Sequence, residues 1–131
     1  GLPRFSAAAL LLGYVWLTVG ALIWIIKGEP NTFASYDAAV HSVFLGFAMS
    51  MVIAHAPVIL PAVIRRPLPY HPVMWVTLIV LQIGLVFRVA IGDGLGVQLA
   101  WEVGIWITVA ALLLLPLTAI VLVITASRQR G

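Results

Sequence analysis

The chain is poor in groups able to do chemistry, and its three histidines, His41, His55 and His71, stand out. His41 and His55 are fourteen residues apart inside one apolar stretch. On an α-helix that separation turns about 1400°, roughly 40° short of four full turns, and rises about 21 Å. Both rings are therefore expected on one helix face, at opposite depths. Haem iron is commonly held by histidine, and a bis-histidine haem sits between two helices. The spacing thus predicts two stacked ligand sites, with His41 and His55 as candidate haem or metal ligands. The plainer alternative for each ring is a neutral imidazole bonded to backbone or to a neighbouring helix. His71, between Tyr70 and Pro72, falls in a loop or at a helix start, where a wet imidazole needs no ligand.

Two further ionisable residues, Arg88 and Glu102, lie within or at the edge of apolar stretches. A charge at the centre of a bilayer costs at least ~2.5–3.5 kcal/mol on insertion scales, so each asks for a partner. Arg88 is expected to pair with Glu102 across a short turn, with Asp93 as the competing acid. The functional alternative sets Arg88 near a bound cofactor, against a haem propionate or a substrate anion. Pro57 and Pro61 remove two amide donors and free the carbonyls of Ile53 and Pro57. That predicts tilt or a break at the prolines, or a bound group that meets the bare carbonyls. No Ser-His-Asp order, His-Glu-x-x-His helix, phosphate loop or carboxylate pair is found, so nothing points to an enzyme acting alone.

The elements that position these residues follow from composition. Of 131 residues, 63% are hydrophobic and only 8% charged, with a mean hydropathy of +1.17. Soluble domains are roughly half apolar and about a quarter charged, so a soluble fold is excluded. A span takes ~20 apolar residues, and four apolar runs are present. They cover Phe5 to Ile26, the stretch from Asp37 to Ile64, Val73 to Ile91, and Val97 to Ala126. The predicted fold is all-α, a polytopic transmembrane four-helix bundle forming a single domain over residues 1–131. The first run is too long for a signal-peptide core and lacks a cleavage site after it, and Trp24 suits an interfacial anchor. Ser35 or Asp37 is expected to cap the second helix, and Gly92–Gly96 to form a tight turn. Gly46 and Ser50 make a small-xxx-small pair beside the histidine face, a signal for a helix contact.

Seven Lys and Arg against four Asp and Glu give a net charge of +3. The basic residues are scattered at the ends of apolar runs, not gathered on one face, so nucleic acid is excluded as a partner. Without cysteine there is no disulfide, no thiolate metal site and no covalent Cys-x-x-Cys-His haem attachment. Arg4, Arg65, Arg66, Arg128 and Arg130 collect on one side and Lys27 on the other, with Arg88 just inside the membrane near it. The excess of basic residues predicts a cytoplasmic location for both termini and for the Arg65–Pro72 loop, in a bacterial inner membrane.

The histidine spacing on the second run resembles that of the membrane cytochrome b family, where such pairs hold one haem near each membrane surface. In that family a second helix carries the opposing pair. Here the other three runs lack one, so the opposing ligands would come from another subunit, a missing segment, or a second copy of the chain. A broader likeness runs from His41-Ser42-Val43-Phe44-Leu45-Gly46 through Met49 and Met51, Arg66-Pro67-Leu68 and Phe87-Arg88-Val89 to Trp101 and Trp106. This resembles the later spans of the NnrS family, membrane proteins linked to the nitric-oxide response and reported to contain haem and copper. The resemblance makes His41 the span-opening histidine and Arg88 the arginine that ends a later span, and it brings copper in as a second cofactor. That family is longer and carries a Gly-His-Thr-Gly-like loop not present here. Starting at Gly1, the chain is expected to be a processed form or a piece of a longer protein. Two functions remain open. One is a haem- or metal-binding protein of a redox, electron-transfer or nitric-oxide-response system. The other is a cofactor-free accessory subunit of a larger respiratory or photosynthetic membrane complex, its partners being lipid and other membrane subunits.

Overall fold

The computed structural model describes residues 1–27, 32–66, 68 and 70–130. Among them are four long helices and no strand: α1, Leu2–Lys27; α2, Phe33–Ile64; α3, Met74–Asp93; and α4, Gln98–Arg130. All four are long and apolar enough to cross a membrane. They are apolar on nearly every side, as helices in lipid are, and large side chains such as Leu11, Ile25, Val63, Trp106 and Leu113 stand exposed on the outer surface.

Helices in lipid associate through close packing and polar contacts, because hydrocarbon supplies no hydrophobic drive between them. The α1–α2 pair is closed by Gly46, whose missing side chain makes room for Trp16, and by Gly13, which faces Ser50 and Met51. The Gly46/Ser50 pair is therefore at a helix contact, the one with α1. The α3–α4 pair closes on Gly84 against Thr108, and on Gly104 against the backbone of Arg88. The two pairs join where Val86–Asp93 of α3 packs on Phe33–His41 of α2. A polar chain ties three helices together deeper in the bundle. Trp16 Nε1 donates to Gln82 Oε1 at 2.6 Å, and Gln82 Nε2 donates to Ser50 Oγ at 3.2 Å. Toward the far end Phe5 is fully buried, edge-on to Trp75 with centroids 5.4 Å apart, and Trp75 Nε1 donates to the Tyr70 hydroxyl at 2.9 Å.

Three local expectations are corrected. Thr32, not Ser35 or Asp37, caps α2: its side chain accepts from the Ser35 amide at 3.1 Å, while Asp37 lies inside the helix and is buried. The irregular part of α2 is not at its prolines. The chain stays α-helical through Pro57 and Pro61, and the departure is upstream, where Ser42–Ala48 is wound as π-helix. A second π segment, Val86–Asp93, ends α3, so the helix runs into the expected glycine turn and Gly96 alone there takes a left-handed conformation, at φ 71°. Wide π turns shift the phase of everything that follows them. The angular arithmetic for residues fourteen apart assumed an uninterrupted α-helix, and it does not carry across Ser42–Ala48.

Candidate functional site

Asp37 is the centre of the polar group that joins α2, α3 and α4. A carboxylate that is 5% exposed in an apolar bundle needs donors, and it has them. Arg88 Nη2 donates to Oδ1 at 3.0 Å and Arg88 Nε to Oδ2 at 3.5 Å, while Trp101 Nε1 donates to Oδ2 at 3.1 Å. The guanidinium also lies 5.5 Å from the centroid of the Trp101 ring, a cation–π distance. Phe33 also packs edge-on against that indole, with centroids 6.0 Å apart.

This overturns the expected partner of Arg88. Glu102 is exposed and accepts from Gln98 Nε2 at 3.2 Å, so it is turned away along α4. Asp93 is not bonded to Arg88 either, and its Oδ2 is buried with no hydrogen-bond partner among the described residues. The reason is positional. Asp37 lies within α2 where that helix packs on the π segment carrying Arg88, and a bidentate guanidinium–carboxylate pair is favoured where water is scarce.

The same carboxylate reaches His41, one turn on. His41 Nδ1 is 2.7 Å from the Asp37 carbonyl and 3.2 Å from Asp37 Oδ1. Both neighbours are acceptors, so Nδ1 carries the proton. In the neutral ring Nε2 is then left with its lone pair. His55 repeats the arrangement at another depth: its Nδ1 lies 2.7 Å from the Met51 carbonyl and donates to it, which again leaves Nε2 free. The His55 side chain is exposed, along an apolar groove between the second halves of α2 and α4. His71 differs in kind. It is exposed and its Nδ1 accepts from the Val73 amide at 3.0 Å, just before α3 begins. Among the described residues no three His, Asp, Glu or Cys side chains gather as a metal cage.

The structure thus brings His41 and Arg88 into one cluster through Asp37 and leaves His55 apart, on the groove. Asp37, Trp101 and Gln82 were not recognised in the sequence as functional positions. A signal for Asp37 was present, since an acid four residues before a histidine shares its helix face.

A family model described as a domain of unknown function, DUF8744, matches residues 1–124. The chain belongs to the DUF8744 family. The matched region takes in Asp37, His41, His55, Arg88 and Trp101, so the cluster and the groove histidine are parts of the DUF8744 domain. No curated protein and no solved structure matches the chain.

Proposed function

We propose that this DUF8744 chain is an integral membrane protein that holds haem through His41 and His55, as part of a redox, electron-transfer or nitric-oxide-response system. One observation carries the reading. Each imidazole donates its Nδ1 proton to a carbonyl four residues back and keeps Nε2 free. Metal-ligating histidines almost always carry such a bond on the other ring nitrogen, which fixes the tautomer and raises the basicity of the ligating atom. At His41 the Asp37 carboxylate adds to that effect.

The donor set favours haem over a bare copper ion. A metal held by protein alone wants three or four side-chain ligands in one place, and each of these sites offers one. Haem brings four nitrogens of its own, so a single imidazole, His41 or His55, would serve to hold it at each site. When bound, such a group supplies ligand-binding or electron-transfer chemistry at its iron. The chain's own part is to present Nε2, to hold the ring by its Nδ1 bond and, at His55, to flank it with an aliphatic groove. Arg88 acts on His41 through Asp37, as a positioning residue. A further protein ligand at either site would come from another subunit or a second copy of the chain. The bias of arginine toward one side supports a bacterial inner-membrane location with both termini in the cytoplasm.

The test is optical. Purified with haem supplied during expression, the protein is expected to show a Soret band that weakens in His41→Ala and in His55→Ala and vanishes when both are changed. A colourless protein that takes up no added haem overturns the reading in favour of a cofactor-free accessory subunit, and a band untouched by either change overturns His41 and His55 as the ligands.

A further inference from the structure

The groove beside His55 has a shape and a charge pattern that no cofactor is needed to explain. One wall is α2 from Val52 to Ile64 and the other is α4 from Leu115 to Ile124, and between them lies a volume of about 600 Å³. That is within the range of sites that bury a sizeable small molecule, about 300–1,000 Å³. Apart from His55 the lining is aliphatic. From His55 to Ile64 the helix rises about 14 Å, and the hydrocarbon core of a bilayer is about 30 Å thick. The groove is therefore as deep as one leaflet.

Its two ends differ. The inner end is lined by Val52 and His55, with no Asp, Glu, Lys or Arg. At the other end α2 finishes at Ile64 and is followed at once by Arg65 and Arg66, both exposed. On α4, Arg128 is exposed one turn beyond Ile124 and so follows it on the same face. The acids in the described spans, Asp37, Asp93 and Glu102, all belong to the opposite end of the bundle. An occupant that matches this pattern is apolar over one leaflet and negatively charged at the headgroup level.

We infer that the α2–α4 groove is a binding site for one anionic phospholipid, its acyl chains lying between Ile59 and Ala119 and its phosphate held by Arg65, Arg66 and Arg128. A free inorganic anion would use the arginines and leave the groove empty, and a zwitterionic lipid would fill the groove with less hold at its mouth. Basic residues at a membrane surface attract anionic headgroups cumulatively, so a lipid that engages several arginines and a fitted groove outlasts its neighbours in the surrounding shell. The site goes beyond the haem reading and does not depend on it, because no contact to His55 Nε2 is required.

Native mass spectrometry of the whole chain, stripped of lipid and then given phosphatidylglycerol or phosphatidylcholine, tests this. One phosphatidylglycerol is expected to stay bound per chain, with at least about tenfold preference over phosphatidylcholine. R65Q/R66Q should bring the preference to within about threefold while Arg4, Arg128 and Arg130 keep the side of insertion. A119W, which fills the groove and leaves the charges alone, should lose the bound lipid of either kind, and helical circular dichroism identifies a variant that is folded. Equal retention of the two lipids by the parent chain, full preference in R65Q/R66Q, or unchanged binding in folded A119W overturns the inference. So does a dimer mass with no lipid, which would mean that a second copy covers the groove. Lipid retention is read on the haem-free chain and the Soret band in a separate preparation, so either result without the other separates failure here from failure of the haem reading.

Discussion

Asp37 and Arg88 bear on each other more than on anything else in the chain. Removing one member of a buried pair leaves an uncompensated charge and costs about 3–5 kcal/mol. Asp37→Asn and Arg88→Gln, each alone, are expected to lower stability by up to about that much in denaturant titrations in micelles. The double change Asp37→Asn with Arg88→Gln should recover more than half, because no charge is then stranded. Two single losses that simply add in the double variant would show that the pair is not coupled. Thr77 makes the opposite case. It is 3% exposed and its hydroxyl has no hydrogen-bond partner among the described residues. An unsatisfied buried group costs about 1–3 kcal/mol, so Thr77→Val should raise stability by about 1 kcal/mol. A loss of stability would instead place a bonded water in the adjoining cavity of about 30 Å³, a space large enough for one. The sequence displays Asp37 as a helix-start residue and Arg88 as a cation needing an acid. Which acid it chooses depends on which helices touch, and near-uniform apolarity around each helix hides that.

The count and extent of the helices are legible for a simple reason. Runs of ~20 apolar residues report the thickness of the bilayer, and all four expected runs correspond to helices long enough to span it, each reaching a few residues further at one end, while the third and fourth begin one residue later. The π segments are not legible, because winding of that kind comes from the fit between helices and has no residue code of its own. Prolines drew the expectation toward Pro57 and Pro61, whereas the wide turns fall where α2 meets Trp16 and where α3 meets Gly104. Close approach of α3 and α4 is set by glycine. A methyl group at Gly84 would sit 2.6 Å from Thr108 Oγ1 and 2.9 Å from the Thr108 amide nitrogen. A rotamer change clears the hydroxyl, but the amide is backbone and moves only with its helix. Gly84→Ala is therefore expected to cost about 1–3 kcal/mol as an overpacked contact, read as an earlier thermal melt. An unchanged melt would show that α3 and α4 have slack at this level.

On the scale of the whole molecule, an even number of spans puts the start of α1 and the end of α4 on one side, together with the α2–α3 loop, and sets the α3–α4 turn on the other. Which side is the cytoplasm depends on charge. Arg4, Arg65, Arg66 and Arg128 share the first side, and short basic segments resist translocation. The sequence contains no cysteine, so single substitutions report position with no background. Ser127→Cys and His71→Cys should resist a membrane-impermeant maleimide added to intact cells, and should react only after the membrane is opened. Leu95→Cys, beside Gly96 in the α3–α4 turn and 75% exposed, should react at once. That pattern would assign the lipid groove to the inner leaflet and the Asp37–His41 cluster to the outer face, so the labelling also decides which compartment each proposed ligand meets. The reverse pattern of labelling would invert both assignments while leaving the bundle itself intact, because the packing of the helices on one another does not depend on which way the membrane potential runs.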